Sequence, residues 1–576
     1  MRGGMKRLVV CVSLAIAIGG AYYNALGNGF VFDDYLLVVD KPIMRTSQSL
    51  LTVLSDPLSL GYRPLRTFSY LLDYRLGGMS PSVFHLSNLL YHWITACLVF
   101  LVALRLTNDP TVEEESWRWR PAVLIVFLWA LHPVQTDAVT YIAGRRDILG
   151  GLCLFAALWA YLRFRVSAFP GRWRYGWLFL SYLMYGFGIL SKESVLMLPL
   201  LCLAYDVQQE GLRESLRRRW ALYLTILLLG AVVLWYFAGW MILRTIQQTA
   251  WHGGSMLGNF ATVSRIWAHY LSVMIYPHTL LADYSYEAFS VSRALTEPEV
   301  LWALATLGGG VVVGWGLARW RALCGYGGVW MLLAILPVSH LIPIQEIAAE
   351  HYLYVPLFGL CLVVGLLLDA LYGALTEHAR GVGVLRPVVG TVLVVTLLGA
   401  AVARIVTRNR DWLNEERLWS VTIATAPRSV RAHYNLAGVY KQQKRIEDAA
   451  REFTATLALA PKHVGALVGF GELAFEAGHY GQALDYGLQA QRVAPRNPRA
   501  IYLLAWVRLA LKEVTVAETL FQQARTLMPN TPGVYAGLKA VAKERGDSKA
   551  EAQWAEKLEC MERAAKERRP AGASLP

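Results

Sequence analysis

Two adjacent carboxylates, Asp33 and Asp34, follow the first apolar stretch of the chain, and cationic side chains recur downstream at Arg63, Arg145, Arg146, Lys192 and His351. A positioned carboxylate can take the proton of an attacking hydroxyl. Guanidinium, ammonium and imidazole groups can hold a negatively charged phosphate as it departs. His132, Asp137, Asp147, Glu193, Glu350 and Tyr352 stand next to these groups in the sequence and are read as their supporting partners. Each position also has a structural reading. Paired acids are common in turns, Arg145-Arg146-Asp147 suits a helix start, and Lys192 and Glu193 can pair locally. Two carboxylates can hold a divalent ion, but no metal-type Cys or His spacing accompanies them, so no metal ligand is assigned and the cofactor is left open.

These residues are up to 319 positions apart, so a scaffold has to gather them. The chain is 55% hydrophobic and 17% charged over 576 residues, too apolar for one soluble globule. Apolar stretches long enough to cross a ~30 Å hydrocarbon core occur near 8–27, 86–105, 121–137, 147–164, 175–191, 220–242, 300–318, 326–343, 352–372 and 386–406, with a shorter one at 194–207. The first lacks a small-x-small cleavage site and is read as a retained anchor. The net charge of +14 is distributed by topology. Arg2, Lys6 and Arg7 precede the first span, and later clusters such as Arg118 with Arg120, Arg163 with Arg165, Arg217 to Arg219 and Arg319 with Arg321 fall in every second loop. That is the pattern of cytoplasmic loops, and it implies no nucleic acid.

Residues 260–282 are apolar but contain Arg265, His269, Pro277 and His278. Counting them as a span would put the Arg319 loop outside, so they are read as an interfacial helix. Eleven spans then place the N-terminus inside and the C-terminal tail outside. The acidic pair, YRPL at 62–65, the segments around His132 and Arg145, Ser191-Lys192-Glu193 and the Glu350 segment all fall at the outer face. Six of the seven cysteines lie in or at the ends of apolar spans, leaving Cys560 alone in the tail and no disulfide framework.

The tail is periodic. Pro427, Pro461, Pro495 and Pro529 stand 34 residues apart, with Ala449, Ala483 and Ala517 at one shared position and Leu436, Phe470 and Leu504 at another. The expected organisation is an all-α chain: a polytopic membrane body at 1–406, whose first outer loop at 28–85 carries the acidic pair; a linker and lone repeat helix at 407–429; three helical repeats at 430–531; and a further helix or cap with a charged tail at 532–576. Such a solenoid offers a groove for a protein acceptor or partner.

An interfacial cleft of carboxylates and cations suits transfer of a sugar from a polyprenyl-phosphate, whose tail stays in the bilayer while its phosphate and sugar sit at the surface. Phe32-Asp33-Asp34, YRPL at 62–65, HPV at 132–134, RRD at 145–147, SKE at 191–193 and AEHYLYVP at 349–356 make the chain resemble the GT-C superfamily of membrane glycosyltransferases. Within it, the resemblance is to the transmembrane and TPR-containing O-mannosyltransferases. The resemblance implies a GT-C-like body, tetratricopeptide repeats, an inverting mechanism and Asp33 as the base. It also marks a departure, because His351 stands where the animal enzymes usually carry arginine. Other readings are a ligase or flippase for longer lipid-linked glycans and a non-catalytic scaffold. The expected location is the inner membrane with a periplasmic tail, or the endoplasmic reticulum with a luminal tail.

Overall fold

A computed structural model describes residues 2–44, 63–108, 118–166, 172–248, 250–285, 288–343, 346–377 and 385–567; Tyr62 of the YRPL motif lies outside them. All regular structure in these residues is helical. The chain forms two compact units, Met1–Val421 and Thr422–Pro576. The first therefore continues past residue 406.

In the first unit, seven helices among the described residues are long and apolar enough to cross a membrane, or eight if the bent pair Arg120–Ala130 and Pro133–Val139 is one span. The 47° bend of that pair follows from Pro133, which has no N–H and drives His132 into extended backbone. Three expected spans fall short. The stretch at 175–191 lies in Arg172–Ile189, which opens with Arg172 and Arg174. Those at 194–207 and 326–343 form the 13-residue helix Leu198–Glu210 and the 14-residue helix Ala322–Ile335. At 1.5 Å per residue each covers about 20 Å.

Polar contacts nevertheless sort the helix ends into two groups. At one end Ser82 bonds Leu26, Arg145 bonds Phe84, Ser191 bonds Arg146, and Asn409 bonds Asn24 and Thr140. At the other, Lys6 lies over Trp119, Arg118 and Arg120 pair with Asp369, and Arg165 and Arg219 pair with Asp206. Arg172–Ile189 and Leu198–Glu210 each run between these two groups of ends, although neither is among the seven. The segment read as interfacial forms Met256–Ile275. Its Asn259, Tyr270 and Met274 all bond residues of the first end: His340, Ala349 and His132. A helix anchored along its length at one end does not cross. The expected first outer loop also contains regular structure, the helix Pro64–Gly77, started by proline at its first turn.

The second unit holds four antiparallel helix pairs, Val430–Gln442 with Ile446–Leu459, Val464–Glu476 with Tyr480–Val493, Pro498–Ala510 with Val514–Leu527, and Pro532–Arg545 with Ser548–Glu567. Two residues after the first three periodic prolines come Ser429, His463 and Asn497, whose side chains cap the next helix by accepting from Ala432, Ala466 and Ala500. The turn inside each pair needs a left-handed residue, supplied by Lys444, Gly478, Lys512 and Gly546.

Packing in the repeats is complementary by size. A Cβ on Gly469 would lie 2.4 Å from the Phe453 ring, one on Gly537 would lie 2.1 Å from the Phe521 ring, and one on Gly487 would lie 2.7 Å from Leu504. Where one helix carries phenylalanine its neighbour carries glycine, and where the aromatic position becomes Gly487 a leucine fills the space. Gly537→Ala is expected to destabilise the repeats by about 1–3 kcal/mol through overpacking. Gly537→Ala with Phe521→Leu should recover part of it, read as the protease resistance of the tail in the full-length protein.

Candidate active site

The acidic pair sits on a loop that leaves the first helix through the 3-10 turn Tyr23–Gly27. Phe32 has φ +51°, a left-handed conformation that a bulky aromatic residue adopts only under restraint. Its ring is stacked on Tyr141 and edge-on to Trp419. The two acids that follow have different duties. Asp34 is fully buried, and its carboxylate oxygens accept from the amides of Val31 at 3.0 Å and Ala143 at 2.8 Å. Burial pushes its pKa well up, against those two hydrogen bonds. Asp33 donates its amide to the Tyr141 hydroxyl at 3.1 Å, while its half-buried carboxylate makes no hydrogen bond or ion pair with a described residue. The loop is thus tied down by Asp34 and leaves Asp33 available.

The cations also divide. Arg145, expected at the phosphate, is fully buried, with Asp73 at 2.5 Å, Asn88 at 2.6 Å and the Phe84 carbonyl at 2.7 Å around its guanidinium. The Tyr70 ring lies 4.6 Å from the guanidinium carbon. Its donors are used, so it braces the helix starts beneath the site. Lys192, also expected at the phosphate, is buried against Asp147 and over the Tyr352 ring. Burial lowers its pKa, with Asp147 opposing.

Arg146 remains, 17% exposed, and donates to Nε2 of His351 at 2.9 Å. Because a guanidinium only donates, Nε2 has to accept, and the imidazole proton belongs on Nδ1, which faces Asp137 at 2.8 Å. Asp137 also accepts from the His351 amide. His351 is therefore a neutral relay that orients Arg146, with its ring edge-on to Tyr352, and its nitrogens have no donor left for phosphate. Arg63 donates to both oxygens of Glu193, at 2.9 and 3.3 Å, while its buried Nη1 has no hydrogen-bond partner among the described residues. Burial would raise the Glu193 pKa, but the charges of Arg63 and Lys192 hold it down at about 2.

The sequence reading missed Arg66. It is 2% exposed, and its pKa is lowered to about 10 by burial and by the nearby charges of Arg63 and Arg146, with Tyr70 and Asp33 opposing. Arg63 and Arg66 are three residues apart at a helix start, a spacing that puts both on one face; that was the available signal. Tyr141, within the field of Asp33, Asp34 and Arg146, had no such signal.

Two supporting residues serve the scaffold. His132 bonds the Met274 carbonyl at 2.9 Å and accepts the Val134 amide, capping the short turn after the bend. Glu350 is buried, accepts from the Tyr284 hydroxyl and the Leu281 amide, and faces Arg408 at 3.7 Å. Burial pushes its pKa up to about 8, Arg408 notwithstanding. The stability tied to neutral Glu350 is complete below its unfolded value of 4.5 and is lost as pH rises through about 8. Glu350→Gln is expected to fold at neutral pH and to flatten the fall in thermal midpoint that Glu350 contributes between about pH 4.5 and about pH 8.

A tetratricopeptide-repeat family profile matches residues 416–464 and 468–533. Protein O-mannosyl-transferase F38B6.6 of Caenorhabditis elegans is 24% identical over 478 residues, covering 80% of this chain and 64% of its own length. Protein O-mannosyl-transferase Tmtc1 of Drosophila melanogaster is 27% identical, covering 79% and 61%, and human TMTC1 is 26% identical, covering 78% and 55%. The chain thus spans less than two thirds of the length of these relatives. Among solved structures, ArnT from Cupriavidus metallidurans bound to undecaprenyl phosphate aligns with 86% of this chain and 79% of its own, at 16% identity and a TM-score of 0.36, too loose to establish a common fold. The chain resembles the transmembrane O-mannosyl-transferases and carries tetratricopeptide repeats.

Proposed function

We propose that this protein is a membrane glycosyltransferase that moves a monosaccharide from a polyprenyl-phosphate to a hydroxyl of an extracytoplasmic protein. The observation that carries the reading is a half-buried Asp33 carboxylate that makes no hydrogen bond or ion pair with a described residue and lies near Arg66, which in turn lies near Arg63 and Arg146. Similarity to O-mannosyl-transferases over about four fifths of the chain supports the class of reaction.

Asp33 accepts the proton of the acceptor hydroxyl as its oxygen attacks the anomeric carbon. The bond from that carbon to the phosphate oxygen breaks with inversion, and the electron pair leaves on the polyprenyl phosphate. Arg146, oriented by His351 and Asp137, and the Nη1 of Arg63 meet the charge developing on the leaving group, with Arg66 adding to the field. The repeats recruit the acceptor. The basic end, with Arg118 and Arg120, faces the cytoplasm under the positive-inside rule, which leaves the site and the repeats on the other side.

The test incubates purified full-length protein with a panel of polyprenyl-phosphate monosaccharides and hydroxyl-bearing acceptor peptides, and follows free polyprenyl phosphate. Release with one donor and sugar on the peptide is expected; flipping or transfer of a longer glycan without either would overturn the reading. Cys560 is exposed in the tail, so a membrane-impermeant maleimide on sealed vesicles reports its side directly, with Cys560→Ala as control. Labelling from the cytoplasmic face would reverse the assigned orientation.

A further inference from the structure

The acid loop is gripped from two sides, and only one of them belongs to the motifs described above. On that side are Tyr141 and Ala143. On the other is the segment 409–419. Asn409 donates to the Ala21 carbonyl at 3.1 Å and to Asn24 at 2.9 Å, accepts from Thr140 at 2.6 Å, and offers its own carbonyl to the Asn28 side chain at 2.9 Å. Leu413 accepts the Gly29 amide at 2.9 Å. The carboxylate of Glu415, the first residue of helix Glu415–Thr425, faces the Phe32 amide. Trp419, one turn further, meets the Phe32 ring edge-on with centroids 5.1 Å apart, and Trp412 stacks on Tyr141 at 4.8 Å.

Phe32 is the residue whose left-handed backbone sets the direction of the chain into Asp33. Left to itself an aromatic residue abandons φ +51°. Its amide faces the Glu415 carboxylate and its ring is caught between Tyr141 and Trp419, so the restraint is supplied jointly by the 140–143 turn and by this helix. We propose that Glu415 and Trp419 are positioning residues for the reaction: they hold Phe32 in its left-handed conformation and thereby set the Asp33 carboxylate. The inference rests on the reading of Asp33 as the base. Neither residue touches the reacting atoms.

Loss of the grip moves the base without removing it, so turnover falls while donor binding stays. Glu415→Ala and Trp419→Leu are each expected to lower kcat roughly tenfold to a hundredfold, the cost of a misplaced group, with the donor KM unchanged. Glu415→Gln keeps a carbonyl acceptor for the Phe32 amide and should stay near wild type. Glycine needs no restraint to hold a positive φ, so in a Phe32→Gly background the further loss caused by Glu415→Ala should shrink. That non-additivity separates positioning from general destabilisation, and thermal midpoints are recorded for every variant. Wild-type kcat in Glu415→Ala and Trp419→Leu overturns the inference, as does a Glu415→Gln variant as impaired as Glu415→Ala. If Glu415→Ala does not accumulate, Trp419→Leu, alone and in the Phe32→Gly background, decides. Failure of the underlying reading looks different: Asp33→Asn would then be active.

Discussion

Asp33→Asn is expected to lower sugar transfer by about 10²–10⁴-fold, the usual contribution of a general base, while the protein folds and binds its donor as before. The amide is nearly isosteric, and the Asp33 side chain makes no hydrogen bond or ion pair with a described residue, so little else is disturbed. Asp34→Asn should behave in the opposite way. Its two oxygens serve two backbone amides, and an asparagine presents an N–H₂ to one of them. The loss of that buried hydrogen bond is expected to cost about 1–3 kcal/mol. Measuring polyprenyl phosphate release alongside thermal unfolding for both variants separates the roles. A stable, inactive Asp34→Asn beside an active Asp33→Asn would transfer the base to Asp34.

The second large effect concerns neighbouring arginines. Arg145→Ala leaves Asp73 buried with its charge unpaired, and breaking such a pair from one side costs about 3–5 kcal/mol, enough to deplete the folded protein. Arg146→Ala removes a side chain that is partly exposed and held by His351. It should accumulate normally and weaken donor binding about tenfold or more, the scale of one charge-assisted hydrogen bond. Expression and thermal midpoint report the first, and donor KM the second. Equal donor defects in two equally stable variants would return Arg145 to the phosphate site. His351→Asn tests the relay: it retains hydrogen-bonding groups, and its effect should track that of Arg146→Ala in direction and be smaller.

The chain order of this protein was readable without coordinates wherever physics acts locally. Apolar length called for helices in lipid, and the 34-residue proline and alanine spacing disclosed helix pairs. The acidic pair stood out because it follows the first apolar span and matches the motif order of the membrane glycosyltransferases it resembles. Crossing helices were harder to count, since Leu198–Glu210 and Ala322–Ile335 are short, and for the first of them the polar partners at its two ends disclose the passage.

What spacing could not divide was each doublet into a fully engaged and a less engaged member. Asp33 and Asp34 are adjacent, as are Arg145 and Arg146, and sequence gives the two members of each pair the same chemistry. Which one is free depends on groups far along the chain: Ala143 for Asp34, Asp73 for Arg145, His351 and Asp137 for Arg146. The same holds for Phe32, whose backbone is set by residues near 140 and near 415. A side chain's character is fixed by its bonds, but its availability depends on what the fold has placed within hydrogen-bonding reach, and these contacts, between residues tens to hundreds of positions apart, exist only once the helices have packed.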